Sequence, residues 1–412
     1  MTMIAIIGCK GIPASYGGFE TLAENLVRHL NKQCDFIVYC SGPGYTEQPA
    51  EYLGAKLKYL PLDANGVQSI PYDIWSMIDA SRKADVLLIL GVSGCIFLPI
   101  LKLFCRGKIF VNLDGMDWKR PKWGRLARKF LKFSETVAAK YADGLVADNE
   151  VIYDYIREEY GRESFLVEYG GDNARAEFSS RSEELSVIAL HKHGSDDELV
   201  EVEFDKYAIA VCRIEPENNV HVTLDAFAGE STLPLVFIGN WEYSEYGRKL
   251  KQRYASDRNL LLLDPIFESR KLYALRSNAS LYVHGHSSGG TNPALVESMS
   301  LGLPVVAFDV IFNRATTENK AVYFDSADAL KSILQNLGDH DLKANASRMY
   351  EVAERRYSWK IITAKYAALC GIVPAEVAAT EFDQPAISTP PVQKVHGSPV
   401  SPMSRTRSDR SL

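Results

Sequence analysis

The stretch "IIGCKGIPASYGGFETLAENL", residues 6–26, decides the fold of the first half of the chain. It begins with a short apolar run, continues through a loop with four glycines, and ends in a segment with apolar residues at the i, i+3, i+4, i+7 spacing of one helix face. This order predicts a strand, a glycine loop and a helix. Ligands bind at the carboxyl ends of strands in open α/β sheets, and a helix N-terminus attracts anions. We therefore expect Gly17 and Gly18 to lie against a ligand, most simply a phosphate.

The rest of the chain repeats this alternation of short apolar runs with helical segments. It is clearest in the second half, where runs such as "PLVFIGN" and "SLYVHGH" alternate with helix-length segments. Strands that alternate with helices imply parallel sheets with right-handed crossovers. The sequence therefore predicts an α/β protein with two Rossmann-like, doubly wound domains that face each other across a cleft.

Composition shifts divide the chain into five predicted segments. Residues 1–172 form the first domain, 173–206 a polar linker with an insertion, 207–347 the second domain, 348–370 a C-terminal helix, and 371–412 a tail. The tail is rich in Pro and Ser, and such a composition cannot bury enough apolar surface to order itself. We expect it to be disordered.

Composition also excludes several classes of protein. The chain has 412 residues, a net charge of -6 and seven scattered cysteines without a CxxC pair, which disfavours a disulfide framework or a zinc site and indicates a reduced, cytoplasmic protein. Val86–Leu101 has sixteen residues without a charge, just short of a membrane span. Because Gly91, Gly94 and Pro99 interrupt it, we expect a buried strand, a turn and the start of an apolar helix instead.

The second half carries residues typical of a nucleoside diphosphate pocket. Arg213, in "VCRIEPENN" (211–219), follows a strand, and a glycine turn in "HGHSSGGTNPALVES" (284–298) precedes a helix that carries Glu297. An arginine can neutralise a diphosphate, glycine amides can bind it, and a carboxylate one helical turn later can accept hydrogen bonds from a ribose. A surface arginine and a glutamate that merely stabilises its helix remain the alternatives. A nicotinamide or flavin site is disfavoured because the first loop is not GxGxxG and "VYCSG" (38–42) lacks the ribose-binding carboxylate.

A basic stretch, "WKRPKWGRLARKFLKF" (118–133), stands out in this acidic chain. Its spacing predicts a basic amphipathic helix that lies on anionic lipid, with Trp123, Leu126 and Phe130 on its apolar face. A helix that packs this face into the first domain is the alternative, and nucleic-acid binding is disfavoured by the acidic chain and the lack of a recognised module. The candidate residues for contact with a membrane or an acceptor are Trp118, Lys119, Arg120, Lys122, Trp123, Arg125, Arg128, Lys129 and Lys132.

Four motifs together resemble one known family. They are "KGIPASYGGFET", "NLDGMDWKRPKW", "VCRIEPENN" and "HGHSSGGTNPALVESMSLGLPVVAFD". The set resembles the retaining family 4 glycosyltransferases of the GT-B fold, specifically the branch with bacterial capsule and exopolysaccharide rhamnosyltransferases. The resemblance covers about residues 1–370. It implies that the first domain binds the acceptor, the second binds the nucleotide-sugar donor, and the C-terminal helix crosses back onto the first domain.

The resemblance also assigns roles to single residues. Arg213 matches the family's phosphate-binding arginine, whereas Asn218 stands where the family has a lysine. Glu297 matches the ribose-binding glutamate, and Gly289 stands where the family has a sugar-contacting one. Gly289, Gly290, Thr291 and Asn292 then become the expected sugar contacts, with His286 beside them. Gly17 and Gly18 match the first-domain loop against the diphosphate, and Asp114 occupies an active-site strand end. The implied catalytic residues are Asp114, Arg213 and Asn292.

The resemblance implies a specific reaction. The expected donor is dTDP-rhamnose, from which L-rhamnose moves with retention onto a polyprenyl-diphosphate-linked saccharide in surface polysaccharide synthesis. The expected location is the inner face of the cytoplasmic membrane, where the enzyme is peripheral. We find no persuasive DxD motif, since "DGMD" (114–117) has the wrong spacing, and expect neither metal nor cofactor. A UDP- or GDP-sugar donor, or a nucleotide-sugar binder or epimerase of the same fold, is the alternative.

Overall fold

A computed structural model of the chain describes residues 1–14, 17–120, 123–186, 190–191, 199–200, 206–229 and 233–372. The predicted disordered tail lies almost entirely outside these residues, as do Lys122 and much of the predicted insertion. Of the polar linker, the structure describes a short helix, α6 (Arg181–Ser186), and a two-stranded antiparallel hairpin of β9 (Leu190–His191) and β10 (Leu199–Val200).

The first domain is built on a parallel sheet whose described strands follow the order β3-β4-β2-β1-β5-β6-β7-β8, with only the β3–β4 pair antiparallel. Its strands are β1 (Met3–Ile7), β2 (Asp35–Ser41), β3 (Glu51–Tyr52), β4 (Ala55–Leu60), β5 (Val86–Leu90), β6 (Lys108–Asn112), β7 (Gly144–Ala147) and β8 (Phe165–Leu166). Its helices are α1 (Gly18–Leu30), α2 (Ser69–Ala80), α3 (Leu98–Leu101), α4 (Arg125–Tyr141) and α5 (Glu150–Tyr160).

The central strands are apolar throughout because helices cover both faces of the sheet. Every residue of β5 is buried, and the side chains of β1 alternate between two hydrophobic clusters, one on each face. Such double burial is typical of parallel sheets. The interpretation of Val86–Leu101 is confirmed: β5 leads into a glycine turn, a 3₁₀ turn at Cys95–Phe97 and α3. No helix in the described part of the chain is long and apolar enough to cross a membrane.

The second domain repeats the architecture with a parallel sheet whose described strands follow the order β13-β12-β11-β14-β15-β16. Its strands are β11 (Ala208–Val211), β12 (Leu235–Ile238), β13 (Leu260–Leu263), β14 (Leu281–His284), β15 (Val305–Phe308) and β16 (Val322–Phe324). Its helices are α7 (Val220–Phe227), α8 (Glu245–Tyr254), α9 (Ser269–Ser277), α10 (Pro293–Ser300), α11 (Ile311–Thr316) and α12 (Ala327–Gln335).

Strand order reverses once in each sheet, and this places the site. The reversal lies between β1 and β5 in the first sheet and between β11 and β14 in the second. Loops that leave neighbouring strands there diverge to opposite faces and leave a crevice in which ligands bind. The glycine loop after β1 and the loops after β11 and β14 are therefore the parts of the chain that the topology assigns to ligand.

Two C-terminal helices connect the domains. After α13 (Leu342–Arg356), the chain turns at Tyr357–Ser358 and continues as α14 (Trp359–Leu369), which packs against α1 of the first domain. The Trp359 indole donates to Asn173 at 2.7 Å, and the Tyr366 hydroxyl accepts from Asn112 at 3.4 Å. The last helix thus belongs to the core of the first domain although it follows the second.

A buried ion network fixes this crossing. Arg356 lies at the end of α13 with 1% of its side chain exposed and pairs with Glu168 at 3.0 Å, with Glu318 at 3.3 Å and with Glu150. Lys365 from α14 also pairs with Glu168, whose side chain is fully buried. The network therefore joins both domains and both C-terminal helices.

Candidate donor-binding cleft

The cleft floor is a seam where loops of the two domains touch backbone to backbone. A Cβ atom placed on Gly115 would lie 2.5 Å from the Gly289 Cα and 2.8 Å from the Gly290 nitrogen, and one placed on Gly290 would overlap the Asp148 carboxyl group. The Thr291 hydroxyl donates to the Asp148 carbonyl. The loops after β6 and β7 therefore meet the loop after β14, and these glycines leave no room for side chains.

The glycine loop after β1 is partly occupied by the acidic residues of α1. The Glu20 carboxylate accepts from the Lys10 amide at 2.7 Å, and the Glu24 carboxylate accepts from the Ala14 amide at 2.7 Å. Burial raises the pKa of Glu20. These two amides are thus unavailable to a phosphate. The Glu20 carboxylate also lies against Gly17, where it would overlap an added Cβ atom, so contact of Gly17 and Gly18 with an anion stays a prediction.

Gly18 also faces the second domain. A Cβ atom placed on it would lie 3.4 Å from the Pro293 side chain, at the first residue of α10. The N-termini of α1 and α10 therefore approach each other across the cleft. Helix N-termini carry partial positive charge, but α10 begins with Pro293, which has no N–H, and Asn292 accepts from the next amide, so an anion between the domains stays a prediction.

The loop after β11 presents Arg213 and holds Asn218 inside. Arg213 is exposed, whereas Asn218 is 3% exposed and its amide donates to the Arg213 carbonyl at 2.7 Å. The Glu217 carbonyl accepts from both the amide and the hydroxyl of Ser287, which ties this loop to the loop after β14. Asn218 thus shapes the loop around Arg213, and contact of its side chain with the donor stays a prediction.

Two other predicted sugar contacts have structural roles. The Asn292 side chain accepts from the Ala294 amide at 3.1 Å and caps α10, which begins with Pro293. The Thr291 hydroxyl is committed to the seam with Asp148. Asn and Ser are preferred N-caps because their oxygens satisfy a free amide of the first turn. The Asn292 oxygen and the Thr291 hydroxyl are therefore engaged within the protein, and a catalytic role for Asn292 and a sugar contact for Thr291 stay predictions.

Glu297 is held by an ion pair. Its carboxylate pairs with the buried Arg276 at 2.8 Å and accepts from Asn173 at 3.3 Å. A carboxylate has further acceptor positions, so these contacts orient Glu297 while a ribose contact stays a prediction.

Two buried histidines stack beside the loop after β14. The His284 and His286 rings are 4.4 Å apart and nearly parallel, and Tyr282 lies within hydrogen-bonding distance of His284. Burial lowers the pKa of His284 to about 3, and burial with the neighbouring His284, Arg213 and Arg120 lowers the pKa of His286 further from its usual value. Both rings are therefore neutral at pH 7. Within the described residues, His284 Nε2 and His286 Nδ1 are buried without hydrogen-bond partners, so both can serve a bound ligand.

The loop after β6 carries the predicted Asp114 together with Arg120. Asp114 and Met116 have φ values of 57° and 53°, in the left-handed region that is costly for residues with side chains. Arg120 has 12% of its side chain exposed and pairs with Asp117 at 2.7 Å and with Asp114 at 3.5 Å. Arg120 therefore lies at the cleft, a position that suits contact with a substrate better than contact with a membrane.

Asp148 is a site residue that the sequence interpretation missed. It follows β7 and is half-buried, and its Oδ1 is a buried atom with no hydrogen-bond partner among the described residues. Burial, with the charge of Asp114, raises its pKa to about 8. A polar residue directly after a predicted strand was the available signal, because ligands bind at strand ends.

The basic stretch divides into a packed part and an exposed part. Trp118, Trp123 and Phe130 pack against the first-domain core. Lys132 lies 4.8–5.0 Å from the ring centroids of Trp118, Tyr155 and Tyr160 and pairs with Glu159, so it is a structural residue and not a lipid contact. Leu126 is 84% exposed, so of the three residues predicted on the apolar face it does not pack into the domain. Lys119, Arg125 and Lys129 are exposed, Arg128 is half-buried, and Lys122 lies outside the described residues.

Two family models match the chain, one in each half. Residues 1–172 match a domain of unknown function (DUF1972), and residues 195–348 match Glycosyl transferases group 1. No curated protein sequence matches the chain.

Solved structures share the fold across most of the chain. Sucrose-phosphate synthase from Thermosynechococcus elongatus is 14% identical with a TM-score of 0.71, over 90% of this chain and 98% of that one. HepE from Anabaena in complex with UDP-glucose is 13% identical with a TM-score of 0.68, over 90% and 100%. A glycosyltransferase from Rickettsia africae is 11% identical with a TM-score of 0.66, over 90% and 98%. The predicted fold class is thereby confirmed: the chain has the GT-B fold, and its residues 195–348 match the Glycosyl transferases group 1 domain.

Proposed function

We propose that this protein transfers a sugar, with L-rhamnose from dTDP-rhamnose as the best candidate, onto a polyprenyl-diphosphate-linked saccharide with retention at the anomeric carbon. The observation that carries the proposal is the composition of the cleft: Arg213 and two neutral histidines of the second domain face Asp114 and Arg120 of the first. HepE, which shares the fold, is described in complex with UDP-glucose, and this supports a nucleotide-sugar donor.

The residues of the cleft suit a reaction in which the leaving diphosphate itself accepts the proton of the acceptor. The bond between the anomeric carbon and the phosphate oxygen breaks, and the acceptor oxygen forms its bond on the same face. The acceptor proton passes to the departing phosphate. Arg213 and the helix N-termini stabilise the negative charge that develops, as preorganised dipoles and cations do in other enzymes.

The donor is tested by thermal shift with dTDP-rhamnose, UDP-glucose, UDP-N-acetylglucosamine, GDP-mannose, the bare nucleotides and NAD. A ligand at one hundred times its Kd stabilises the protein by about 2.7 kcal/mol, which visibly raises the midpoint. We expect a selective shift with dTDP-rhamnose and dTDP. A shift with another nucleotide sugar alone would discard the rhamnosyl assignment, and a shift with NAD alone would refute the transferase proposal.

Epimerisation is separated from transfer by the products. A transferase given its donor and a lipid-linked acceptor releases the nucleoside diphosphate and lengthens the acceptor. Conversion of one nucleotide sugar into another, without acceptor and without release of the nucleotide, would favour the epimerase alternative.

The membrane part of the proposal rests on exposed apolar and basic residues of the first domain. Helix α3 packs against α4. Near α3, Leu103 is 83% exposed, and α4 exposes Leu126 and Phe133 together with Arg125 and Lys129. Exposed apolar side chains beside cations are typical of proteins that dock on anionic lipid.

Vesicle sedimentation tests this surface. Arg125→Glu/Lys129→Glu should abolish binding to anionic vesicles at low salt, and Leu126→Ser/Phe133→Ser should weaken it at every salt concentration. Lys32→Glu/Lys331→Glu, on exposed residues of other elements, is the matched control for charge. Equal binding by all three variants would refute membrane docking through α4.

A further inference from the structure

The cleft contains a cationic side chain, Arg120, to which the comparisons assign no role. We infer that Arg120 of the first domain and Arg213 of the second together bind the donor diphosphate, one from each side of the cleft. The inference rests on the proposed function, since it requires a donor with a diphosphate. It adds a binding residue to the domain that the sequence interpretation assigned to the acceptor.

The second domain alone offers little positive charge to this anion. Between residues 211 and 219 Arg213 is the sole arginine or lysine, and it is followed by Glu215 and Glu217. The loop 285–292 contains no arginine or lysine, and the nearby His284 and His286 are neutral. A diphosphate ester carries two negative charges, so one exposed arginine beside two glutamates leaves it poorly neutralised.

Loop contacts bring Arg120 to this position. Gly115 packs on the backbone of Gly289 and Gly290, which places the loop after β6 directly against the loop after β14. Ser287 in that second loop bonds to the Glu217 carbonyl and so ties it to the loop of Arg213. Arg213 and Arg120 both contribute, after burial and His284, to lowering the pKa of His286, so both guanidinium groups lie near this buried ring.

Arg120 lies among carboxylates, with which a bound phosphate would compete. Its side chain is 12% exposed, its Nε lies 2.7 Å from Asp117, and the charges of Glu217 and Glu215 also act on it. The contact from Nη2 to Asp114 is longer, 3.5 Å. A guanidinium has five N–H donors in a fixed fork that matches phosphate oxygens. A phosphate oxygen can replace the long contact with Asp114 while the Asp117 pair keeps the side chain in place.

This arrangement has a mechanical consequence. A diphosphate between Arg120 and Arg213 joins the two domains across the cleft, whereas a nucleoside or a monophosphate reaches fewer of these donors. Binding of the diphosphate therefore stabilises the closed arrangement of the two domains over the reacting centre, and departure of the diphosphate allows the domains to separate.

Titration calorimetry on the full chain tests the inference with UDP, dTDP and GDP and with the corresponding monophosphates. Arg120→Gln should weaken binding of the preferred nucleoside diphosphate about 10- to 100-fold, the loss expected for a charge-assisted hydrogen bond, and that of the monophosphate less than about 3-fold. Arg82→Gln, which removes an exposed arginine of the same domain outside the proposed sites, should bind like the wild type. Arg120→Lys, which keeps the charge without the fork, should lose less affinity than Arg120→Gln.

The outcomes separate this inference from the proposed function. If Arg213→Gln loses diphosphate affinity while Arg120→Gln does not, the inference is wrong and the donor site stands. If the wild type binds no nucleoside diphosphate, the proposed function fails first. Equal losses for Arg120→Gln and Arg120→Lys, with lowered thermal midpoints and equally weakened monophosphate binding, would show that Arg120 only shapes its loop and would overturn the inference.

Discussion

Removal of Arg356 should be among the most damaging single substitutions in this protein. The side chain is 1% exposed and is surrounded by Glu150, Glu168 and Glu318, of which Glu168 is fully buried. Without Arg356, Glu168 keeps Lys365 as its described cation, and three carboxylates lose their common partner. Loss of one partner of a buried pair costs about 3 to 5 kcal/mol, because the remaining charge is buried without compensation.

Arg355 provides the matched control. It precedes Arg356 on α13, is 40% exposed and pairs with the same Glu318 at 2.5 Å. Exposed ion pairs contribute about 1 kcal/mol or less, so Arg355→Ala should have a small effect. Urea unfolding followed by circular dichroism should show this difference. A loss for Arg356→Ala below about 1 kcal/mol, equal to that of Arg355→Ala, would refute the burial argument.

Acid adds a second test of the same network. Burial of Glu168 opposes its charge, but Lys365 and Arg356 outweigh burial and lower its pKa below the ordinary value of 4.5. A carboxyl group whose pKa is lower in the folded protein stabilises the fold above its ordinary pKa. This stabilisation is lost as the pH falls through the pKa of the folded state. The stability gap between the wild type and Arg356→Ala should therefore narrow below pH 4.5. A gap that stays constant down to the acid transition would contradict the ionic explanation.

Three further predictions concern the cleft. Asp148→Asn should be more stable than the wild type at pH 8. The pKa of the Asp148 carboxyl group is raised from the ordinary value of 3.8 to about 8 in the folded protein, so the wild type loses stability as the pH rises between these values. A stability difference between the two proteins that does not grow over this range in thermal melts would contradict this prediction. Gly290→Ala should weaken donor binding about 10-fold or more, because its Cβ atom overlaps the Asp148 carboxyl group. Gly338→Ala, where a Cβ atom meets nothing within 4 Å, should bind the donor normally. Equal affinities of the two variants in a titration with the donor would show that the loops adjust to the added methyl group without loss. Transfer should continue at full rate in excess EDTA, and activity lost in EDTA and restored by magnesium would refute the metal-independent mechanism.

The alternation of strands and helices could be predicted because it depends on local patterns. Val86–Leu90 is a fully buried strand as the apolar run indicates, and its neighbours in the sheet follow from the rule for parallel crossovers. The strand β4 (Ala55–Leu60) was missed, because its lysines interrupt the apolar run. In the sheet β4 lies between β2 and the two-residue edge strand β3, and Lys56 is exposed between the buried Ala55 and Leu57, so the strand lacks a continuous apolar run.

Site residues were harder to predict because their roles depend on contacts between the domains. Asn292 before Pro293 has the pattern of a helix cap, a local signal that we interpreted as sugar binding. The burial of Arg120 had no local signal, since its sequence neighbours are basic and aromatic and its position depends on Gly115 packing against Gly289. The carboxyl group of Asp148 was found only when the seam placed it beside Gly290.

The seam also changes the explanation of the "GGTN" motif at residues 289–292. We interpreted its glycines as amides for a phosphate, but Gly290 has no room for a side chain because of Asp148, and Gly289 is packed on Gly115 at its Cα. Around the Cβ position of Gly289 there is open space within 4 Å, and its φ of 121° suits glycine alone. Gly290 is therefore explained by contact between the domains and Gly289 by backbone conformation beside the open cleft. It follows that Gly289→Ala should act through backbone strain in one loop, whereas Gly290→Ala should act through separation of the domains, and these effects require no direct contact of either residue with the sugar.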